Sequence, residues 1–295
     1  MSCSAGPRFE VAKNVFTANE APPSERIPFH HEMAQCDNPP AVVMFFCELP
    51  AQVGGATPIL QSFLAAEYLR KNHPAVAERL ADKGVKYVRI MPPVTDPSSA
   101  LGKSWRNSLR VETVEEAETS LRALGCTWTW LPNGMLHTVT KSMPALLLDE
   151  RTGREIFFTA AETTFNSVED EAIGATVEEK DEALIRPVKA IIYGDGSPLD
   201  KPTKEALFDV SEFMVRSQVS IPWQQGDALL LNNATVQHSR ETFTPPRRIL
   251  ASLVGQLSKA GYTLHERDPE LGIKACGIAT VSPSSTMDGL PITHA

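Results

Sequence analysis

The chain predicts a mainly β fold with flanking helices: a double-stranded β-helix, or jelly-roll barrel, interrupted by a helical insert. Short apolar strands cluster towards both ends of the chain, and helix-forming segments fall between them. An Asn133-Gly134 turn also separates two alternating runs, a strong hairpin signal. Sheets of this kind bury one face and shelter it with helices.

Residues 1–25 are polar and proline-containing, so a poorly ordered lead is expected before a barrel domain over 26–255. Ala41–Leu49 is a continuous apolar run suited to a strand buried on both faces, followed by a Val53-Gly54-Gly55-Ala56 turn. Ser62–Lys71 and Pro74–Lys83 read as helices, the second with proline in its first turn, where its missing N–H costs nothing. Val85–Met91 is a strand, and residues 95–107 form a polar loop of lid-like composition. Thr113 and Glu116 have capping-box spacing and open a helix to about Leu124. Strands follow at Thr127–Leu131, Met135–Thr140, Ala145–Leu148 and Glu155–Thr159, then helices at Glu178–Leu184 and Lys204–Ser217. Further strands are expected at Val219–Pro222, Ala228–Leu231, Thr235–His238 and Arg248–Leu253, before an irregular tail over 256–295.

The balance of 28 basic against 36 acidic residues leaves a net charge of −8 with no basic stripe, which argues against nucleic acid or anionic membrane as partner. No apolar run approaches the roughly 20 residues of a membrane helix. The opening residues lack a signal peptide's apolar core, so a cytoplasmic location is expected. Five scattered cysteines with no C-x-x-C pair read as reduced thiols. The oligomeric state is not legible.

His30-His31-Glu32 and the distant His238 carry the chemistry. On an extended segment, His30 and Glu32 point to one face because strand side chains alternate with period two. A second imidazole from His238 completes a two-His, one-carboxylate set with open coordination positions, diagnostic of non-haem Fe(II) oxygenases rather than closed zinc sites. His31 faces away and reads as structural. Arg247 and Arg248 follow His238 in an apolar strand, where a buried guanidinium needs an anionic partner. A dicarboxylate cosubstrate supplies one through a two-pronged contact. Alternation puts Arg248, Leu250 and Ser252 on one face and Arg247, Ile249 and Ala251 on the other, so only one arginine points inward. Asn232 and Asn233 are both candidates to fix the imidazole tautomers. Asp227 reads as a turn residue, Trp128 and Trp130 as packing, and His73 and His137 as solvated.

These motifs resemble the Fe(II)/2-oxoglutarate-dependent oxygenases of the taurine dioxygenase superfamily. The likeness is to the clavaminate-synthase-like branch, where the carboxylate ligand is Glu. It rests on FHHEMAQ at 29–35, GGATPI at 54–59, TGREIFF at 152–158, YGDGSPL at 193–199, WQQGD at 223–227 and the block Val236–Leu253. The resemblance implies His30, Glu32 and His238 as Fe(II) ligands. It implies Thr57 and Arg248 as the grip on the distal carboxylate of 2-oxoglutarate, Thr57 standing 57 − 30 = 27 residues after His30 as in the family. Fe(II), 2-oxoglutarate and O2 are thus the expected cofactors, and the reaction is oxidation of a small organic substrate. Related halogenases replace the carboxylate ligand with a small residue, so the retained Glu32 implies hydroxylation, desaturation or cyclisation. Arg26, Trp105 and Ser252 are the candidate substrate contacts. Taurine dioxygenase has an arginine for the sulfonate where this chain has Ser252, which disfavours a small sulfonate. Only 29 residues precede His30, fewer than the family usually has. A catalytically impaired binder of metal and 2-oxoglutarate is therefore one alternative; another jelly-roll metalloenzyme, such as a zinc or iron hydrolase, is a second.

Overall fold

The computed structural model describes residues 9–18, 21–36, 38–96, 98–99, 101–149, 152–160 and 187–255. The helix expected over 178–184, the tail at 256–295 and Cys3 lie outside them. In chain order the strands are β1 (Glu10–Ala12), β2 (Val15–Thr17), β3 (Ile27–His30), β4 (Val42–Leu49), β5 (Val53–Gly54) and β6 (Thr57–Gln61). They continue with β7 (Val85–Met91), β8 (Thr127–Trp130), β9 (Leu136–Val139), β10 (Leu146–Asp149), β11 (Arg154–Phe157) and β12 (Val188–Tyr193). The last are β13 (Val219–Ile221), β14 (Ala228–Asn232), β15 (Val236–Arg240), β16 (Phe243–Thr244) and β17 (Arg248–Val254). The helices are α1 (Ser62–Asn72), α2 (Pro74–Lys83), α3 (Trp105–Leu109), α4 (Val114–Ala123) and α5 (Lys201–Ser217).

The fold is mainly β with flanking helices, and every ladder among the described residues is antiparallel. Three sheets carry the architecture, in the orders β1-β2-β17-β4-β14, β13-β6-β15-β3 and β12-β7-β9-β8, with β10-β11 and β16-β5 as separate pairs. Val43, Phe45 and Cys47 of β4, Leu231 of β14, and Ile249 and Ala251 of β17 are buried together, with Ile59 of β6 and Val236 of β15 packed against them. That cluster defines the space between the first two sheets. Each fully buried aliphatic or aromatic side chain there contributes about 1.5–3 kcal/mol. A larger cluster packs α1, α2 and α5 beneath Phe29, Leu60, Phe157 and Tyr87.

Local signals formed as their chemistry dictates. The Thr113–Glu116 capping box is made in both directions, and Pro74 opens α2. β8 and β9 form the expected hairpin, with Asn133 and Gly134 both at positive φ in its tight turn. Two expectations fail. The lead is not devoid of order: Phe16 and Thr17 pair with Ala251 and Leu250, so β2 covers the edge of β17 that would otherwise stand open. Nor is 95–107 a loop throughout, because Ser104 accepts a hydrogen bond from Asn107 N and caps α3.

Candidate metal centre

Register assembles the centre. β15 lies between β3 and β6, and His238 stands opposite His30 on one side and Ile59 on the other. Opposed residues of an antiparallel ladder share a face, and the two imidazole centroids are 4.4 Å apart. A slip of one residue turns one ring away from the other. His30 Nδ1 lies 2.8 Å from the Pro28 carbonyl. Nδ1–H donating there leaves Nε2 as the lone-pair nitrogen.

Glu32 reaches the centre by another route than alternation. β3 ends at His30, and the chain then turns through Met33, which adopts a left-handed φ of 58°. The turn is held by Asn233, fully buried at the far end of the sequence. Glu32 N donates to Asn233 Oδ1 at 2.8 Å, and Asn233 Nδ2 donates to the carbonyls of Glu32 and Pro40, each at 2.9 Å. Both sides of the Glu32 peptide are thereby fixed; the role expected for Asn232 or Asn233 is on an imidazole, whereas these bonds of Asn233 go to backbone groups. The Glu32 carboxylate lies 3.9 Å from His238 Nε2. One ligand atom from each of His30, Glu32 and His238 lies within 4.8 Å of the others. Metal–ligand bonds are about 2.0–2.2 Å, so small side-chain rotations bring all three onto one cation.

His31 points the other way. It is fully buried, its Nε2 meets Ser62 Oγ at 2.7 Å, and its ring packs 4.4 Å from Phe158. Burial, with repulsion from His30, drives its pKa down to about 3 against a backbone hydrogen bond at Thr159. It is a neutral packing element.

The two arginines separate, but Arg248, the one expected to point inward, is the more exposed. Ile249 and Ala251 are the buried residues of β17, and Arg247, just before the strand, is half-buried. Arg248 is turned outwards: its side chain is 51% exposed and pairs with Glu48 at 2.7 Å. Arg247 Nε donates to the Gly55 carbonyl at 2.9 Å, and its charge opposes the burial-driven rise of the Cys47 thiol pKa. Gly55 has φ +74°, and a Cβ there would stand 2.9 Å from Arg247 Cδ and Nε, so glycine is required for this approach. Thr57, two residues on, is buried and opens β6 on the face shared by Ile59 and His238. Its hydroxyl accepts a hydrogen bond from Trp223 Nε1 at 2.9 Å.

The three candidate substrate contacts are not brought to the centre by any of these interactions. Trp105 is 2% exposed, donates to Gly134 O at 3.2 Å and packs edge-on against Trp130. It is a core residue, because α3 turns it inward. Ser252 lies on the outer face of β17 and donates to Asn14 O. Arg26, at the entry to β3, reaches Gln218 and lies over Phe29. Trp128 and Trp130 both donate to Glu118. Asp227 accepts from Gln224 N in its turn. His73 is held by Asp209, and burial lowers the pKa of His137, so neither is simply solvated.

The profile of the taurine catabolism dioxygenase TauD, TfdA family matches residues 3–253. A clavaminate synthase-like protein of Arabidopsis thaliana is 38% identical over 249 residues, covering 84% of this chain and 71% of the relative. The dapdiamide synthesis protein DdaC of Enterobacter agglomerans is 25% identical over 256 residues, with the same coverages of 84% and 71%. Among solved structures, an asparagine oxygenase in complex with Fe(II), 3-hydroxyasparagine and succinate aligns with a TM-score of 0.43 at 15% identity. The alignment covers 78% of this chain and 50% of that one.

Proposed function

The chain belongs to the taurine catabolism dioxygenase TauD, TfdA family, and we propose that its three converging side chains serve an Fe(II)/2-oxoglutarate-dependent oxidation of a small organic molecule. The observation that supports this best is the meeting of His30, Glu32 and His238 within 4.8 Å, two on neighbouring strands and one on a pinned turn. Two neutral imidazoles and one carboxylate leave coordination positions open, the arrangement suited to non-haem iron. We infer that the two sheets flanking the buried Phe45–Ile249 cluster are the halves of a double-stranded β-helix.

When bound, Fe(II) together with 2-oxoglutarate and O2 supplies the oxidising chemistry, with 2-oxoglutarate decarboxylated to succinate. The chain's own residues bind and orient. His30 presents Nε2 because Pro28 holds its other nitrogen. Glu32 is delivered by the turn that Asn233 fixes. Arg247, in place of the expected Arg248, grips the distal carboxylate of 2-oxoglutarate with Thr57, whose hydroxyl is oriented by Trp223. Phe45, packed 5.1 Å from the His238 ring, helps exclude water from the centre. Retention of Glu32 favours hydroxylation, desaturation or cyclisation over halogenation.

Succinate release from 2-oxoglutarate under air tests the assignment. Wild type should turn over slowly without a prime substrate, and Glu32→Ala and His238→Ala should abolish the release. Full turnover in either variant overturns it.

A further inference from the structure

Beyond His238 the chain leaves β15 at Arg240 and enters a set of contacts centred on Phe243. Phe243 and Thr244 form β16 and pair with Gly54 and Val53 of β5. The approach is close: Gly54 has φ +71°, and a Cβ on it would run into the Thr242 carbonyl, so glycine is required. Gly55 N donates to that same carbonyl at 2.9 Å, and Glu241 N donates to Ala56 O at 3.1 Å. The turn that precedes Thr57 is thereby tied to the segment between His238 and Arg247. Phe243 N itself donates to Pro23 O at 3.0 Å, in the segment that leads into β3.

Two arginines converge on the Phe243 ring. The guanidinium carbon of Arg240 lies over it at 5.2 Å from the centroid, and that of Arg247 at 5.3 Å. Both are within the roughly 6 Å at which a ring quadrupole attracts a cation. Arg240 is an anchored cation: it is buried, and it donates to the carbonyls of Ala21, Pro22 and Glu25 at 2.9, 2.8 and 2.6 Å. Arg247 is half-buried and is held by its Nε bond to the Gly55 carbonyl as well as by the ring. The ring can serve as a fixed support because its own backbone pairing and Arg240 hold it in turn. An arginine side chain has much rotamer freedom to lose on gripping a ligand, and holding it beforehand removes that loss from binding.

We propose that Phe243 is a positioning residue for the cosubstrate grip: its ring holds the Arg247 guanidinium beside the Gly55 carbonyl, ready for the distal carboxylate of 2-oxoglutarate. This deepens the oxygenase reading and rests on its assignment of Arg247. The ring acts through Arg247 and not through the three metal-binding side chains, so it bears on the distal carboxylate and not on the keto acid end.

Calorimetric titration of 2-oxoglutarate into Mn(II)-loaded protein reads the grip without turnover. Phe243→Leu removes the ring and keeps the backbone pairing; it should weaken 2-oxoglutarate about three- to ten-fold. Phe243→Tyr keeps the π face and should stay within about two-fold of wild type. 2-Oxobutyrate has the same keto acid end and no distal carboxylate, and its affinity should be alike in wild type and Phe243→Leu. In an Arg247→Gln background, Phe243→Leu should weaken 2-oxoglutarate no further, because the two side chains act as one unit. A ring that only fills space is replaced as well by leucine, and a disturbed turn weakens both keto acids in either background. Equal 2-oxoglutarate affinity in wild type and Phe243→Leu, an equal loss for 2-oxobutyrate, or a loss that persists beside Arg247→Gln overturns the proposal. If Arg247→Gln alone still weakens 2-oxoglutarate, the grip survives that failure. No weakening by Arg247→Gln strikes the assignment of Arg247, and absence of 2-oxoglutarate binding in Mn(II)-loaded wild type strikes the metal-centre reading; either overturns this proposal as well.

Discussion

Substituting the two neighbouring arginines separately should give opposite results. Arg248 is half-exposed and paired with Glu48, and exposed pairs of this kind contribute about 0–1 kcal/mol. Arg248→Gln should therefore change the 2-oxoglutarate dissociation constant by less than about five-fold, since 1.4 kcal/mol is ten-fold. Arg247 is half-buried and lies against Gly55, two residues from Thr57. Each charge-assisted hydrogen bond it makes to a carboxylate is worth about 1.5–3 kcal/mol, so Arg247→Gln should weaken 2-oxoglutarate about ten- to a hundred-fold or more. Gly55→Ala should move in the same direction, because its Cβ would displace the Arg247 side chain. The assay is anaerobic titration of 2-oxoglutarate into the Fe(II)-loaded proteins, read by the metal–keto-acid absorption, with KM for 2-oxoglutarate as the kinetic counterpart. A larger effect from Arg248→Gln than from Arg247→Gln would refute the assignment of faces on β17.

Asn233→Ala leaves the Glu32 N–H and two carbonyls without their present partner, costing about 1–3 kcal/mol per orphaned group; metal affinity, read by Mn(II) titration, should fall about ten- to a hundred-fold. Trp105→Ala should lower stability by about 3–5 kcal/mol in denaturant unfolding while KM for any substrate is unmoved, because the indole is packed in the core. Lys189 carries a signature in pH: burial first, then the charges of Arg89 and Lys103, press its pKa from 10.5 to about 7, with Glu25 acting in the opposite sense. Below pH 7 it is charged in both folded and unfolded chains, but between about 7 and 10.5 the unfolded chain holds a proton that the native protein has shed. Stability attributable to this group should therefore rise with pH across that window, by up to about 1.4 kcal/mol per unit, and Lys189→Met should flatten the rise relative to wild type.

Period-two alternation and apolar runs located most strands, and the residue types at 30, 32 and 238 already suggested a metal centre. What they lacked was the means of arrival. Glu32 joins the candidate centre from a turn with Met33 in the left-handed region, so the strand alternation that paired it with His30 does not operate. The inward side of β17 was illegible because Leu250 and Ser252 look no less suited to burial than Ile249 and Ala251; the decision comes from β4, whose Phe45 and Cys47 lie opposite Ala251 and Ile249. Trp105 misled because its segment is rich in Ser, Gly and Asp, while the Ser104 cap that turns it inward depends on a local hydrogen bond. Asn233 was one of two neighbouring asparagines, and only a contact across 201 residues of chain separates them. That Arg89 of β7 faces Lys189 of β12 required the register, since the two become neighbours only once the strands pair.

Anomalous scattering at the iron edge, from crystals grown anaerobically with Fe(II), addresses the central claim most directly. A single peak about 2.0–2.2 Å from one atom each of His30, Glu32 and His238 is the predicted result. Iron bound elsewhere, or a peak that any of these three side chains fails to reach, would contradict it.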